Sequence, residues 1–153
     1  MERGIVTHLL TATAAGEPMQ SHQRIEIVPG VGIPGDRYAT REGHWSDPQW
    51  PDQELTLVES ELAEELGLAP ELLRRNIVTI GANLEDLIGQ DFTLGTARLR
   101  AVRICDPCAY LETLIRPGLF AQLNGRGGIR VEIVEGGAIS IGDTINQMAP
   151  DAT

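Results

Sequence analysis

The sequence predicts a mostly β domain, a closed or partly closed barrel with a few short helices as decoration. Three observations carry this. The apolar stretches are short and rich in Ile, Val and Thr, 17 Gly and 9 Pro interrupt them along the whole length, and the strand signals do not alternate with helices as a parallel sheet requires. At 153 residues the chain has the size of one domain with a core of its own. Residues 1 to 148 are expected to form that domain and 149 to 153 a frayed tail.

Seven runs read as strands: Gly4 to Leu10, Arg24 to Val28, Leu55 to Val58, Asn76 to Ile80, Ala97 to Ile104, Gly128 to Val134 and Ala138 to Ile141. Ala97 to Ile104 shows the best alternation, with three Arg expected on one face and Ala, Leu or Val on the other, so it covers a core on one side only. Helical signals are fewer. Ser60 is placed to cap a helix through Leu66 that stops at Gly67, and Pro70 suits the first turn of another short one before Arg74. Pro107 opens a third stretch, Cys108 to Ile115, closed by Pro117 and Gly118. The segment Gly30 to Trp50 is too long and too rich in Gly and Pro for a simple connection, and its polar and aromatic content, His44, Trp45 and Trp50 included, favours a functional loop.

Charge narrows the function. Twelve basic against 22 acidic residues give a net charge of −10, which repels phosphate backbones and argues against nucleic-acid binding. All twelve cations are Arg and none is Lys, so positive charge comes only as rigid multi-donor forks suited to carboxylate and phosphate. Without Lys the chain cannot form the internal Schiff base of a pyridoxal phosphate enzyme. Two Cys make no disulfide framework, the N-terminus lacks the basic start and apolar run of a signal peptide, and no apolar run approaches the roughly 18 to 20 residues that span a bilayer. A cytoplasmic protein that does not enter membranes is expected.

Four places can carry chemistry. The first is Cys105-Asp106-Pro107-Cys108, between an expected strand and an expected helix, which puts the second thiol near a helix N-terminus where the dipole favours thiolate. A buried inert Cys is the structural alternative. Zinc lacks further soft ligands, because His8, His22 and His44 have no paired spacing. A thioredoxin-like dithiol lacks its βαβ setting. A single reactive thiolate that carries sulfur or binds a soft metal requires only Cys108.

The second is Asn124-Gly125-Arg126-Gly127-Gly128, a plausible anion cradle or a plain hairpin loop. The third is Arg74-Arg75-Asn76 at a strand's edge, where the Arg are either solvated or meet an anion and Asn76 holds a turn or bonds a polar ring. In the fourth, Gly32 to Tyr38, glycines bracket Asp36 and Arg37, either as a tight turn with a local ion pair or as a device that presents Arg37 to a cleft.

Six motifs in order resemble one family: Gly-Ile-Pro-Gly-Asp-Arg at 32 to 37, Leu-Arg-Arg-Asn-Ile-Val at 73 to 78, Ile-Gly-Gln-Asp-Phe-Thr-Leu-Gly at 88 to 95, Asp-Pro-Cys at 106 to 108, Gly-Arg-Gly-Gly-Ile-Arg at 125 to 130 and Val-Glu-Gly-Gly-Ala-Ile-Ser-Ile-Gly-Asp at 134 to 143. The chain is similar to MOSC domains, the module named for the C-terminal part of molybdenum cofactor sulfurases, from about Gly30 to Asp143. The resemblance implies a β-barrel-like domain whose Cys carries sulfur or ligates molybdenum beside a bound pterin. Matched motif by motif, the family Cys falls on Cys108, its Arg-Asn pair on Arg75 and Asn76, its late glycine loop on Arg126 and Gly127, and its early turn on Gly35, Asp36 and the adjoining Arg37.

Such a cofactor offers a phosphate to Arg, a flat polar ring to Asn and backbone, and a soft metal to thiolate. The sulfurase's pyridoxal-dependent domain and the ferredoxin and reductase domains of larger relatives have no counterpart in this chain, so sulfur from a cysteine desulfurase, or electrons from a donor, must come from a separate protein. Cys105 lies outside the family pattern. The resemblance leaves open a molybdenum-dependent reductase of N-hydroxylated small molecules, a sulfur carrier, a cofactor carrier or chaperone without turnover, and a dithiol protein using Cys105 with Cys108. A homodimer is possible in any of these.

Overall fold

The computed structural model describes residues 4–14, 16–36, 39, 55–105, 113–122 and 126–148. Among them the chain forms strands β1 Ile5–Thr11, β2 Gln20–His22, β3 Arg24–Ile27, β4 Leu55–Glu59, β5 Ile77–Ile80, β6 Asp91–Leu94, β7 Ala97–Ile104, β8 Ile129–Glu135, β9 Gly137–Ser140 and β10 Ile145–Gln147. Helix α1 is Ser60–Leu66 and α2 is Leu119–Gln122, with single 3-10 turns at Pro70–Leu73 and Leu84–Leu87.

Eight strands make one curled sheet in the order β10-β6-β7-β8-β4-β5-β1-β2, and β3 pairs with β9 in a separate two-stranded ribbon. Every pairing is antiparallel except β4 with β5, where α1 and the following turn provide the crossover. The sheet curls until its ends meet. The first half of β1 reaches the chain just before β10 through the bridge Ile5↔Thr144 and the bonds Val6 N→Asp143 O, Gly142 N→Val6 O and Ile145 N→Gly4 O. The second half of the same edge pairs with β2, Leu9↔His22 to Thr11↔Gln20. The expected barrel is therefore present, closed by one short seam.

Period-two alternation decides what each strand buries. Inward positions, among them Val6, Leu9, Leu55, Leu57, Ile77, Phe92, Leu94, Leu99, Ile129 and Val131, fill the barrel, and Ile25, Ile27 and Ile139 of the ribbon join the same core. A second cluster lies outside the wall, where Leu62 and Ala63 of α1, Leu73 and Leu119 cover Leu10, Val58 and Val78. One face of β1, β4 and β5 thus looks into the barrel and the other lies partly under helices.

Most expected elements are present, with three corrections. Ten strands occur among the described residues rather than seven, the three added being β2 and β10 with three residues each and β6 with four. Helix α1 has the expected span and ends on Gly67 in the left-handed region (φ +69°), but its N-cap is Glu59, without a side-chain cap bond, rather than Ser60. Strict alternation over β7 would also turn Arg103 inward with Ala97, Leu99 and Ala101. A register shift between Ala101 and Arg103 returns Arg103 to the outer face. Of the stretch expected to be helical after Pro107, Thr113–Ile115 is helical and the rest lies outside the described residues, as do the tail 149–153 and residues 37, 38 and 40–50 of the long loop. No helix among the described residues is long and apolar enough to cross a membrane.

Candidate functional site

Four polar side chains cross the outer wall in one row, on strands β5, β4, β8 and β7. Thr56 pairs with Arg130, and Arg130 with Arg103. Asn76 stands immediately before β5, beside Thr56 in the parallel register that pairs Leu57 with Ile77. Residues opposite one another across a sheet point to the same side, so the register alone assembles the row.

At one end the polarity is consumed internally. Asn76 is fully buried; its Oδ1 accepts from Thr56 N and Thr56 Oγ1, both at 3.2 Å, and its Nδ2 donates to Leu10 O at 3.1 Å. Asn76 N in turn donates to Thr56 Oγ1 at 3.0 Å. One carboxamide thus ties β1, β4 and β5 together where the two parallel strands begin. The chain reaches this position through the turn Pro70–Leu73, which ends on Arg74 in the left-handed region, the one non-glycine with positive φ among the described residues (φ +57°). Nη1 of Arg74 holds Glu17 O at 2.6 Å.

Arg75 is also buried, and its Nε donates to Gly127 O at 2.9 Å. Two motifs 52 residues apart in sequence, Arg75-Asn76 and the glycine loop, therefore meet. The loop is shaped for close approach. Gly128 has φ +98°, and a Cβ there would run into the carbonyl oxygen of Leu57. Arg126 lies exposed at the loop's rim, with Nε on Gln122 O at 2.8 Å and Nη1 on Glu65 Oε2 at 2.7 Å. At the end of β7, Cys105 N donates to Gly128 O at 2.8 Å, and Cys105 itself is fully buried. Cys105, three residues before Cys108 in the sequence, is therefore held against the glycine loop.

The early turn is tied to β1. Gly35 is exposed with φ +89°, while Asp36 is fully buried and its Oδ1 accepts from Ala12 N at 3.0 Å, fixing the turn to the end of β1. Arg37 and Cys108 lie outside the described residues. Of the His, His8 Nδ1 meets Thr7 Oγ1 at 2.9 Å and His22 Nε2 meets Thr11 Oγ1 at 2.8 Å. Among the described residues no group of three or more His, Cys, Asp or Glu could hold a metal ion.

Sequence reasoning missed Thr56, Arg103 and Arg130 as site residues. Arg130 is the most unusual of them. It is 5% exposed, and its Nε and Nη1 are buried without a hydrogen-bond partner. The neighbouring outer face of β6 and β7 treats its Arg differently. Arg98 and Arg100 converge on Asp91, at 2.6 Å and 2.7 Å, and the two guanidinium groups, Arg100 foremost, hold its carboxyl below the usual carboxylate range.

Fold and site together define a small β barrel with an arginine- and glycine-lined outer wall, the class of domain that the six motifs resemble. The chain belongs to the MOSC domain family, whose sequence model matches residues 49–146. Several solved structures share the fold. The YuaD protein from Bacillus subtilis has a TM-score of 0.73 and 21% identity, covering 98% of this chain and 100% of its own. YiiM from Escherichia coli has 0.66 and 17%, covering 100% of this chain and 72% of its own, and YiiM from Geobacillus stearothermophilus 0.67 and 14%, covering 97% and 75%. No curated protein matches the chain.

Proposed function

We propose that this protein binds molybdenum cofactor, with Cys108 as the residue that ligates the metal or holds transferable sulfur. The observation that carries this, beside family membership, is the meeting of Arg75, Gly127 and the end of β7 through Arg75 Nε→Gly127 O and Cys105 N→Gly128 O. Three residues of chain span at most about 11 Å, so Cys108 cannot be farther than that from Cys105. The donor set fits the cofactor. Arg75 and Arg126 would meet its phosphate, glycine-loop amides its polar ring, and the thiolate of Cys108 its soft metal.

When bound, the cofactor would supply a redox-active metal centre capable of reducing N-hydroxylated small molecules. The chain's own residues bind and orient. Arg75 fixes the glycine loop through Gly127, and Asn76 fixes the strand ends from which Thr56 and Arg75 project. The family motif matched at Gly35, Asp36 and Arg37 would complete the cofactor side. Electrons or sulfur would come from a separate donor protein or a cysteine desulfurase, in the cytoplasm. Nucleic acid is not a partner in this reading, and a homodimer is compatible with it. The full burial of Cys105 favours a single working thiol over a dithiol, because exchange at Cys105 would need local opening.

The test is the molybdenum and pterin content of anaerobically purified full-length protein, with reduction of a hydroxylamine by an artificial donor. Both metal and turnover are expected in the wild type, and both should be lost in Cys108→Ser but not in Cys105→Ser. Cofactor without turnover would make the protein a carrier. Equal damage from the two substitutions would establish the dithiol, and no cofactor at all would refute the proposal.

A further inference from the structure

We propose that Arg130 anchors an oxyanion-binding site on the outer wall of the barrel, suited to a tetrahedral phosphate group. A guanidinium stays protonated at every pH a folded protein meets, so burial cannot neutralise it as it would Lys or His. Left without an anion it is an uncompensated buried charge, among the most destabilising features an interior can hold. Yet Arg130 is 95% buried by the complement of its 5% exposure, two of its three nitrogens have no partner, and no carboxylate lies in ion-pair contact with it among the described residues.

Its surroundings sharpen the point. Arg103 stands directly opposite on β7 and adds a second positive charge to the same stretch of wall. On the other side Thr56 is buried and committed to Asn76. Two buried donors of Arg130 thus have no matching acceptor, whereas on the adjoining face Asp91 serves both Arg98 and Arg100. The planar fork of Arg matches the geometry of a phosphate, and the charge demands a strong one. The phosphate would be either a free inorganic ion or the terminus of an organic phosphomonoester.

This inference does not require Cys108, so its failure and that of the cofactor reading can be told apart. Inorganic phosphate and, separately, phenyl phosphate are titrated by calorimetry into the full-length protein in low-salt, phosphate-free buffer. The variants are Arg130→Met, Arg130→Lys and, as control, Cys108→Ser. One-to-one binding is expected in the wild type and in Cys108→Ser. Binding should be at least tenfold weaker in Arg130→Met and intermediate in Arg130→Lys. Tighter binding of phenyl phosphate than of phosphate identifies an ester as the occupant, and the reverse a free ion.

In phosphate-free buffer Arg130→Met should melt no lower than the wild type, since it removes an unpaired charge. A clear fall in its melting temperature would mean that the guanidinium already has its partner inside the chain, which overturns the proposal. If the variants do not fold, the side-chain Nε–H resonance of Arg130 in the labelled wild type decides. A shift on adding phosphate supports the site, and no shift overturns it.

Discussion

Replacing Asn76 by Ala should destabilise the fold by about 4 kcal/mol. The side chain is fully buried and gives three hydrogen bonds that alanine cannot make, two accepted from Thr56 and one donated to Leu10 O. The loss leaves Thr56 N–H and Leu10 C=O as buried groups with one partner fewer, each worth roughly 1–3 kcal/mol, and opens a small cavity between three strands. For a domain of this size about 4 kcal/mol corresponds to a fall in melting temperature of roughly 8–16 °C. Urea unfolding followed by circular dichroism measures it as a lower midpoint with an unchanged slope.

Asn76→Asp separates geometry from charge. It keeps the acceptor toward Thr56 but turns the donor facing Leu10 O into a second acceptor. A buried carboxylate in that place has its pKa raised, so the variant should be least stable at neutral pH and recover as pH falls through the raised value. If Asn76→Ala unfolds within about 1 kcal/mol of the wild type, Asn76 is not the clasp described here. If such a stable variant also loses cofactor, the residue belongs to the ligand instead.

Two further substitutions probe the neighbouring walls. Gly128→Ala places a Cβ against the Leu57 carbonyl at φ +98° and should cost about 3 kcal/mol or more, or prevent folding, as soluble yield and urea midpoint will show. Asp91→Asn removes the charge that Arg98 and Arg100 share, at a cost of about 1 kcal/mol or less at pH 7, since both guanidinium groups are open to solvent. Because the folded pKa of Asp91 lies below its ordinary value, the stability it contributes is complete above the usual carboxylate range and is lost as pH falls through the lowered one. The difference between wild type and Asp91→Asn should therefore shrink as the urea midpoint is followed toward acid pH.

Much of the fold was legible because outward and inward residues alternate in the longer strands. Ala97 to Ile104 was bounded as observed, and Gly67 and Pro70 stopped and started helical turns where expected. The short strands β2, β6 and β10 were not legible: β2 and β10 have three residues each, and β10 pairs with β6, distant in sequence. The site divides the same way. Arg75 with Gly127 was signalled by residue type and local glycine density, although only the fold shows that the two touch. Arg130 was hidden because an Arg at an outward strand position reads as solvated. Its burial depends on neighbouring structure, which no local pattern encodes. Arg103 stands on the face expected for it, but only because a register shift interrupts the alternation there.

The seam between Gly4–Val6 and residues 142–145 has a mechanical consequence. Elsewhere around the ring neighbouring strands share three or more register pairs, but here a single bridge and three amide bonds join the ends. Breathing motions of the cylinder should start at this weakest hoop. In strand order, β8 and β4 sit halfway around from it, so loosening at the seam can relax the staves one by one before it disturbs those that bear Arg130 and Thr56. The barrel can therefore flex on one side while the opposite side stays rigid.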